Sequence, residues 1–148
     1  MSAETLSDLE KDAWRGFRRM AEIISGRIAR DIARATGLSA ADANVLMQLG
    51  KADDNCCRQR DIQDVLEWDK TRLSHQLTRM TGRGLIERST GDEGQVVIRL
   101  TDMGRAQLDA AVPIHAAGIR TYFLDHLSPE DLIDLRAITG KLRASLFF

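Results

Sequence analysis

Proline is scarce in this sequence, two residues in 148, and no tract repeats itself or falls into low complexity. Few prolines leave long helices uninterrupted, and the absence of a period excludes a repeat architecture. Apolar runs of about 18 to 20 residues, enough to cross a bilayer, are missing too. The N-terminal MSAETLSDLEKDAW is polar and acidic, so the expectation is a soluble cytoplasmic protein with no membrane partner. The only two cysteines, Cys56 and Cys57, are adjacent. A disulfide between neighbours is strained by its geometry, and reduced thiols are expected. Net charge is close to nil, with 21 Lys and Arg against 22 Asp and Glu, so overall charge points to no partner.

Chemistry of several kinds is lacking as well. None of His75, His115 and His126 has a second histidine or a cysteine at metal-ligand spacing. No nucleophile-base pair, glycine-rich phosphate loop or paired-carboxylate pattern stands out. The sequence therefore predicts no metal, no cofactor and no enzyme.

What is present fits one folded unit: 148 residues, 43% of them hydrophobic, can fill a single core. From Glu4 to Thr36 the chain is proline-free, with Trp14, Phe17, Ala21, Ile24 and Ile28 at spacings of three and four, which predicts one long helix closed by Gly37. Its apolar stripe is long for the core available to it and is expected to meet a second subunit. Ser39 and Asp42 form a capping-box variant for a helix ending at Gly50, and KADDNCC reads as a polar loop. Arg58 to Glu67 is a short helix held by Ile62, Val65 and Leu66, and Asp69 caps another running to about Gly82. Two short helices joined near Trp68 make a helix-turn-helix. Next, GLIERS, TGDEG and QVVIRL read as strand, tip and strand of a hairpin wing. Thr101 caps a long helix through Leu127, kinked at Pro113. Ser128, Pro129 and Asp131 start a last helix with the stripe Leu132, Leu135, Ile138 and Leu142.

The most informative stretch is WDKTRLSHQLTRM, Trp68 to Met80. Leu73, Leu77 and Met80 fall within about 60° of one another on a helical wheel and face a core. Thr71, Arg72, His75 and Arg79 lie opposite them, with Ser74 and Gln76 on the flanks, and after Asp69 the helix has no acid. From Trp68 to Thr90 five basic residues stand against two acidic ones, in a chain whose net charge is −1. A solvated face normally mixes both signs; an acid-free row of donors suits DNA. Arginine binds guanine O6 and N7 bidentately, glutamine pairs with adenine, and Ser, Thr and Lys hold phosphate oxygens.

The run TRLSHQLTRMTGRGLIERSTGDEGQVVIRLTDMGRA resembles the core signature of the multiple antibiotic resistance regulator (MarR) family of bacterial transcription factors. The resemblance rests on Gly84-Leu85 with Glu87-Arg88, on Asp92 in the wing, and on Leu100-Thr101 with Gly104. LSPEDLIDLRAI near the C-terminus extends it over nearly the whole chain. It implies a mainly α fold with a small β-hairpin wing: a winged helix-turn-helix region, 38–101, between helical dimerisation regions, 1–36 and 102–148. It further implies a homodimer on double-stranded DNA, often a repressor released by a small ligand or by oxidation, with a pseudo-palindromic operator.

Carried over by position, the DNA-facing residues are Thr71, Arg72, Ser74, His75 and Arg79, with Gln76 on the flank and Lys70 as a phosphate contact. The wing departs from the family pattern. Relatives carry an arginine just after the wing aspartate, whereas Glu93 and Gly94 stand here, leaving Arg88 and Arg99 as the nearest substitutes. An acidic tip is repelled by phosphate, which motivates an alternative: a winged-helix protein-interaction module that has lost DNA binding. A small aromatic or phenolic effector, if bound as in the family, would meet Trp14, Phe17 or His115. Core or dimer packing is the plainer role for the aromatics, as interface packing is for His115. The family's redox branch places its reactive cysteine in the first helix, so Cys56 and Cys57 are read as incidental.

Overall fold

The computed structural model describes residues 5–146. Six helices and three strands follow in the order α1 (Asp8–Thr36), α2 (Ala40–Lys51), β1 (Cys56–Arg58), α3 (Gln59–Leu66), α4 (Lys70–Gly82), β2 (Ile86–Thr90), β3 (Val96–Leu100), α5 (Asp102–Tyr122) and α6 (Pro129–Leu146). The chain divides into two compact units, one of Met1–Ile28 with Ala116–Phe148, the other of Ala29–His115.

Local chemistry sets most of the boundaries. Ser7 accepts from Glu10 N at 3.2 Å and Glu10 returns a carboxylate to Ser7 N at 2.7 Å, so α1 opens on a capping box. Thr5 to Ser7 are not helical; the expected start at Glu4 lies outside the described residues. At the far end Gly37 takes φ +76°, a conformation that favours glycine, and its N–H donates to Ala33 O at 2.8 Å. Reciprocal capping boxes also start α2, from Ser39 and Asp42, and α6, from Ser128 and Asp131.

Three boundaries differ from expectation. Gly50 does not end α2, which runs one residue further; a methyl there would meet Leu108 Cδ2 at 2.5 Å, so this glycine serves the close approach of α2 to α5. The expected KADDNCC loop holds β1. Asp54 and Asn55, at φ 55° and 53°, reverse the chain, a conformation short polar side chains tolerate, and Cys56–Arg58 then pair antiparallel with β3. The wing is accordingly a three-stranded sheet of order β1-β3-β2. Last, α5 passes continuously through Pro113 but stops at Tyr122, and Leu124–His126 form a separate turn.

The core of the Ala29–His115 unit is apolar and closed: Leu46, Leu49, Leu73, Leu77, Met80 and Ile98 are all fully buried. These residues bring α2, α4 and β3 together, the arrangement of a winged helix-turn-helix. One latch holds the wing base to α5. The Thr101 hydroxyl donates to Gly84 O at 2.6 Å and accepts from Gly104 N at 3.0 Å, while Thr101 N donates to Leu85 O at 3.2 Å. A Cβ on Gly104 would sit 2.0 Å from Leu85 O. The spaced Gly84-Leu85, Leu100-Thr101 and Gly104 are thus one contact seen from three places in the chain.

Overpacking against backbone cannot relax, whereas a side-chain tip can move aside. Gly104→Ala should therefore lower the unfolding free energy by about 2 to 3 kcal/mol. Gly50→Ala, which meets only a leucine methyl and gains up to about 1 kcal/mol in helix propensity, should come out near neutral. Urea denaturation of both variants checks the contrast.

Candidate nucleic-acid interface

The α3–α4 turn is three residues long. Glu67 caps α3 in the left-handed region, φ 54°, and Asp69 caps α4 by accepting from Arg72 N at 2.8 Å. Trp68 is fixed between the two caps and half-buried. The apolar stripe of α4 is fully buried, as its spacing predicts. The opposite face presents Lys70, Thr71, Arg72, His75 and Arg79 to solvent, with Ser74 half-exposed beside them.

Gln76 belongs elsewhere. Only 4% of it is exposed, and its amide donates to Asp42 Oδ1 at 2.6 Å. A flank position on the wheel says nothing about a carboxylate supplied by another helix, so Gln76 is a core residue and not a free adenine reader. Its Oε1 accepts from Arg79 Nη2 at 2.7 Å, which turns Arg79 back toward the protein. Asp42 itself is buried, accepts from Arg83 Nη1 at 2.6 Å and from Ser39 N at 2.9 Å, and ties the start of α2 to α4. Burial alone would raise its pKa; hydrogen bonds from Arg83 and the Ser39 backbone, with the Arg83 charge, outweigh that and hold the carboxyl below its ordinary value.

The two wing arginines have separate fates. Arg88 shares the inner sheet face with Ile86 and Ile98. Its guanidinium donates to Ser74 O and to Thr78 Oγ1, the latter at 3.1 Å, bracing β2 against α4. Arg99 alternates to the outer face, opposite Glu87, and donates to Asp54 O at 3.4 Å. Arg88 is therefore a brace between wing and helix, not a free phosphate contact, and Arg99 points away from α4 because strand side chains alternate. At the tip, Asp92 and Glu93 are exposed, with Glu93 in the left-handed region at φ 62°.

Sequence reasoning missed a groove of about 470 Å³ lined by Arg58, by Gln59, Arg60, Gln63 and the lone acid Asp64 of α3, by Lys70 of α4, and by Gln95 and Val96 at the start of β3. A second hollow, about 360 Å³, shares Gln59, Lys70 and Val96 and reaches Ser74, Arg88 and Thr90. The signal was available in RQRDIQD. In a helix-turn-helix the first helix crosses the phosphate backbone, so its donors deserve the same weight as those of the second.

The remaining candidates are dispersed. Trp14 and Phe17 meet in a tilted contact, 6.3 Å between centroids, and are more than half exposed, 58% and 54%. His115 is half-buried on α5. Cys57 is a poor nucleophile, because burial, Asp61 and Cys56 push its thiol up to about 11. Among the described residues there is no cluster of three or more His, Cys, Asp or Glu able to hold a metal, and no helix is long and apolar enough to cross a membrane.

A helix-turn-helix whose second helix has an acid-free outer face, a three-stranded wing and a mainly polar and basic groove define a winged helix-turn-helix protein of the DNA-binding class. A MarR family model matches residues 36–95. AbsC, a MarR family transcriptional regulator from Streptomyces coelicolor, is 30% identical over 96% of this chain and 99% of its own, with a TM-score of 0.86. Sco3205 from the same organism, solved in complex with DNA, is 24% identical over 96% and 94% of the two chains, with a TM-score of 0.88. Sco5413, also from Streptomyces coelicolor, is 19% identical over 94% and 96%, with a TM-score of 0.80. No curated protein matches the sequence. This chain belongs to the MarR family of transcriptional regulators, which are transcription factors and not enzymes.

Asp42→Asn should test the buried hub. An asparagine sets its own donor against Gln76, Arg83 or Ser39, leaving one buried donor unpaired, and should cost about 2 to 3 kcal/mol at pH 7. Because the native carboxyl titrates below its ordinary 3.8, its contribution is full above that value and disappears as pH falls through the lower native one. Thermal unfolding of wild type and D42N should therefore differ at pH 7 and converge at strongly acid pH.

Proposed function

We propose that this protein is a homodimeric, sequence-specific DNA-binding regulator that sets α4 in the major groove of a pseudo-palindromic operator. The observation that carries this is the acid-free, exposed face of α4 beside a groove edged by Arg60 and Lys70. A groove about 12 Å wide admits such a helix, and Sco3205, of the same fold, was solved with DNA bound. Residues 38–101 are the DNA-binding region in this reading, and 1–36 with 102–148 the dimerisation region. Half-sites should lie about one helical turn, roughly 10 bp, apart. Thr71, Arg72, Ser74 and His75 face bases, while Arg60 and Lys70 meet phosphate.

Support for a homodimer comes from α6, an 18-residue helix with no buried residue. Ile133, Ile138, Leu142 and Leu146 are 46 to 73% exposed, and so are Trp14, Phe17 and Met20 on α1, at 48 to 58%. An apolar surface of that extent calls for a covering partner. Repression, and release by a small aromatic or phenolic effector, are the finer parts of this reading; they come from the family resemblance, with the exposed Trp14–Phe17 pair as the aromatic surface such a ligand would use. The acidic tip of Asp92 and Glu93 favours the rival, a protein-interaction module without DNA binding.

A gel shift at low salt against the DNA upstream of its own gene separates the two, with retardation expected and its absence, there and on random duplex, favouring the rival. Arg60→Ala and Lys70→Ala should each weaken binding equally on all sequences and lower the salt slope by about 1. Glu93→Arg should raise affinity and steepen that slope. Leu142→Asp should shift sedimentation from dimer to monomer.

A further inference from the structure

We infer that Trp68 is a specificity-positioning residue, a platform that holds the Arg72 guanidinium to read one guanine in each half-site. The inference rests on the DNA-binding reading proposed above. Five arginines lie between Trp68 and Leu100, and four have protein acceptors: Arg79 donates to Gln76, Arg83 to Asp42, Arg88 to Ser74 and Thr78, and Arg99 to Asp54. Arg72 differs. Its guanidinium lies over the Trp68 ring, 4.1 Å from the centroid, and no side-chain hydrogen bond commits it among the described residues.

Stacking engages only the face of the guanidinium. All five N–H donors project in its plane and stay available, which suits the O6 and N7 acceptors of guanine. Both ends of the stack are anchored. Glu67 and Asp69 pin the turn that carries Trp68, and the Asp69 carboxylate fixes the Arg72 backbone at 2.8 Å. Arg72 is in the first turn of α4, where the residues of a recognition helix reach base edges. A long side chain that would otherwise sample many rotamers is thus set in one place before DNA arrives.

Binding selections from a random-sequence duplex library, run in parallel for wild type, R72A, W68F and W68L, test this. Wild type should enrich a guanine at one position per half-site, and R72A should flatten that preference by roughly 10- to 100-fold while the other positions keep theirs. W68F keeps a π face and should retain most of the preference; W68L keeps apolar bulk without one and should lose about fivefold or more at that position only. Replacing that guanine by 7-deazaguanine should weaken wild type and leave R72A unaffected. The inference is overturned if W68L matches W68F, or if it weakens every sequence alike, which is what a merely structural Trp68 would do. Absence of any enrichment by wild type would overturn the DNA-binding reading itself, and the platform with it.

Discussion

The buried carboxylate of Asp42 is the constraint on which the placement of the recognition helix depends. It closes the capping box of α2, takes the amide of Gln76 on one oxygen and the guanidinium of Arg83 on the other, and so fixes α4 at two points against α2. A charge this deep is tolerable only because both oxygens are met by donors, Gln76 on Oδ1 and Ser39 with Arg83 on Oδ2. Apolar burial of Leu73, Leu77 and Met80 glues α4 in place but is nearly indifferent to small rotations of the helix. Hydrogen bonds of 2.6 Å are not, and they decide which residues of α4 turn outward.

Arg88 extends the same logic to the wing. By donating to Ser74 O and Thr78 Oγ1 it ties β2 directly to α4. Its Nε is buried without a partner, which the strong hydrogen bonds of the guanidinium tip have to offset. The Thr101 latch does for the base of the hairpin what Arg88 does for its flank. A wing whose tip repels phosphate is therefore still held in register with the helix. In the proposed DNA-binding reading, discrimination is left to the first turn of α4.

Much of the fold was legible because its causes are local. Ser39, Asp69 and Ser128 cap helices through residues three positions away, Gly37 and Gly84 end them at positive φ, and the stripe of α4 is written at helical spacing. β1 was not legible: three residues have too little pattern to stand out, and Cys56–Arg58 become a strand only because β3 offers them an edge. Gly50 reads as a cap from its place near the end of a helical run, and only Leu108, 58 positions along the chain, gives it another reason. The α3 donors were passed over because a helix whose donors line a groove looks, taken alone, like any exposed helix.

What the sequence by itself determined is the set of elements, the family signature, and the helix whose outer face carries donors and no acids. Tertiary structure alone decided which of those donors remain free. Gln76, Arg79 and Arg88 look equivalent to Arg72 along the chain, yet the first three are committed to protein partners and Arg72 is not. The reason is physical. Periodicity tells which way a side chain leaves its own helix, but the acceptors that capture Gln76 and Arg88, namely Asp42 at 34 residues from Gln76 and Ser74 with Thr78, belong to other elements; Arg79 is held on its own helix, by the Gln76 oxygen left over once Asp42 has taken the amide nitrogen.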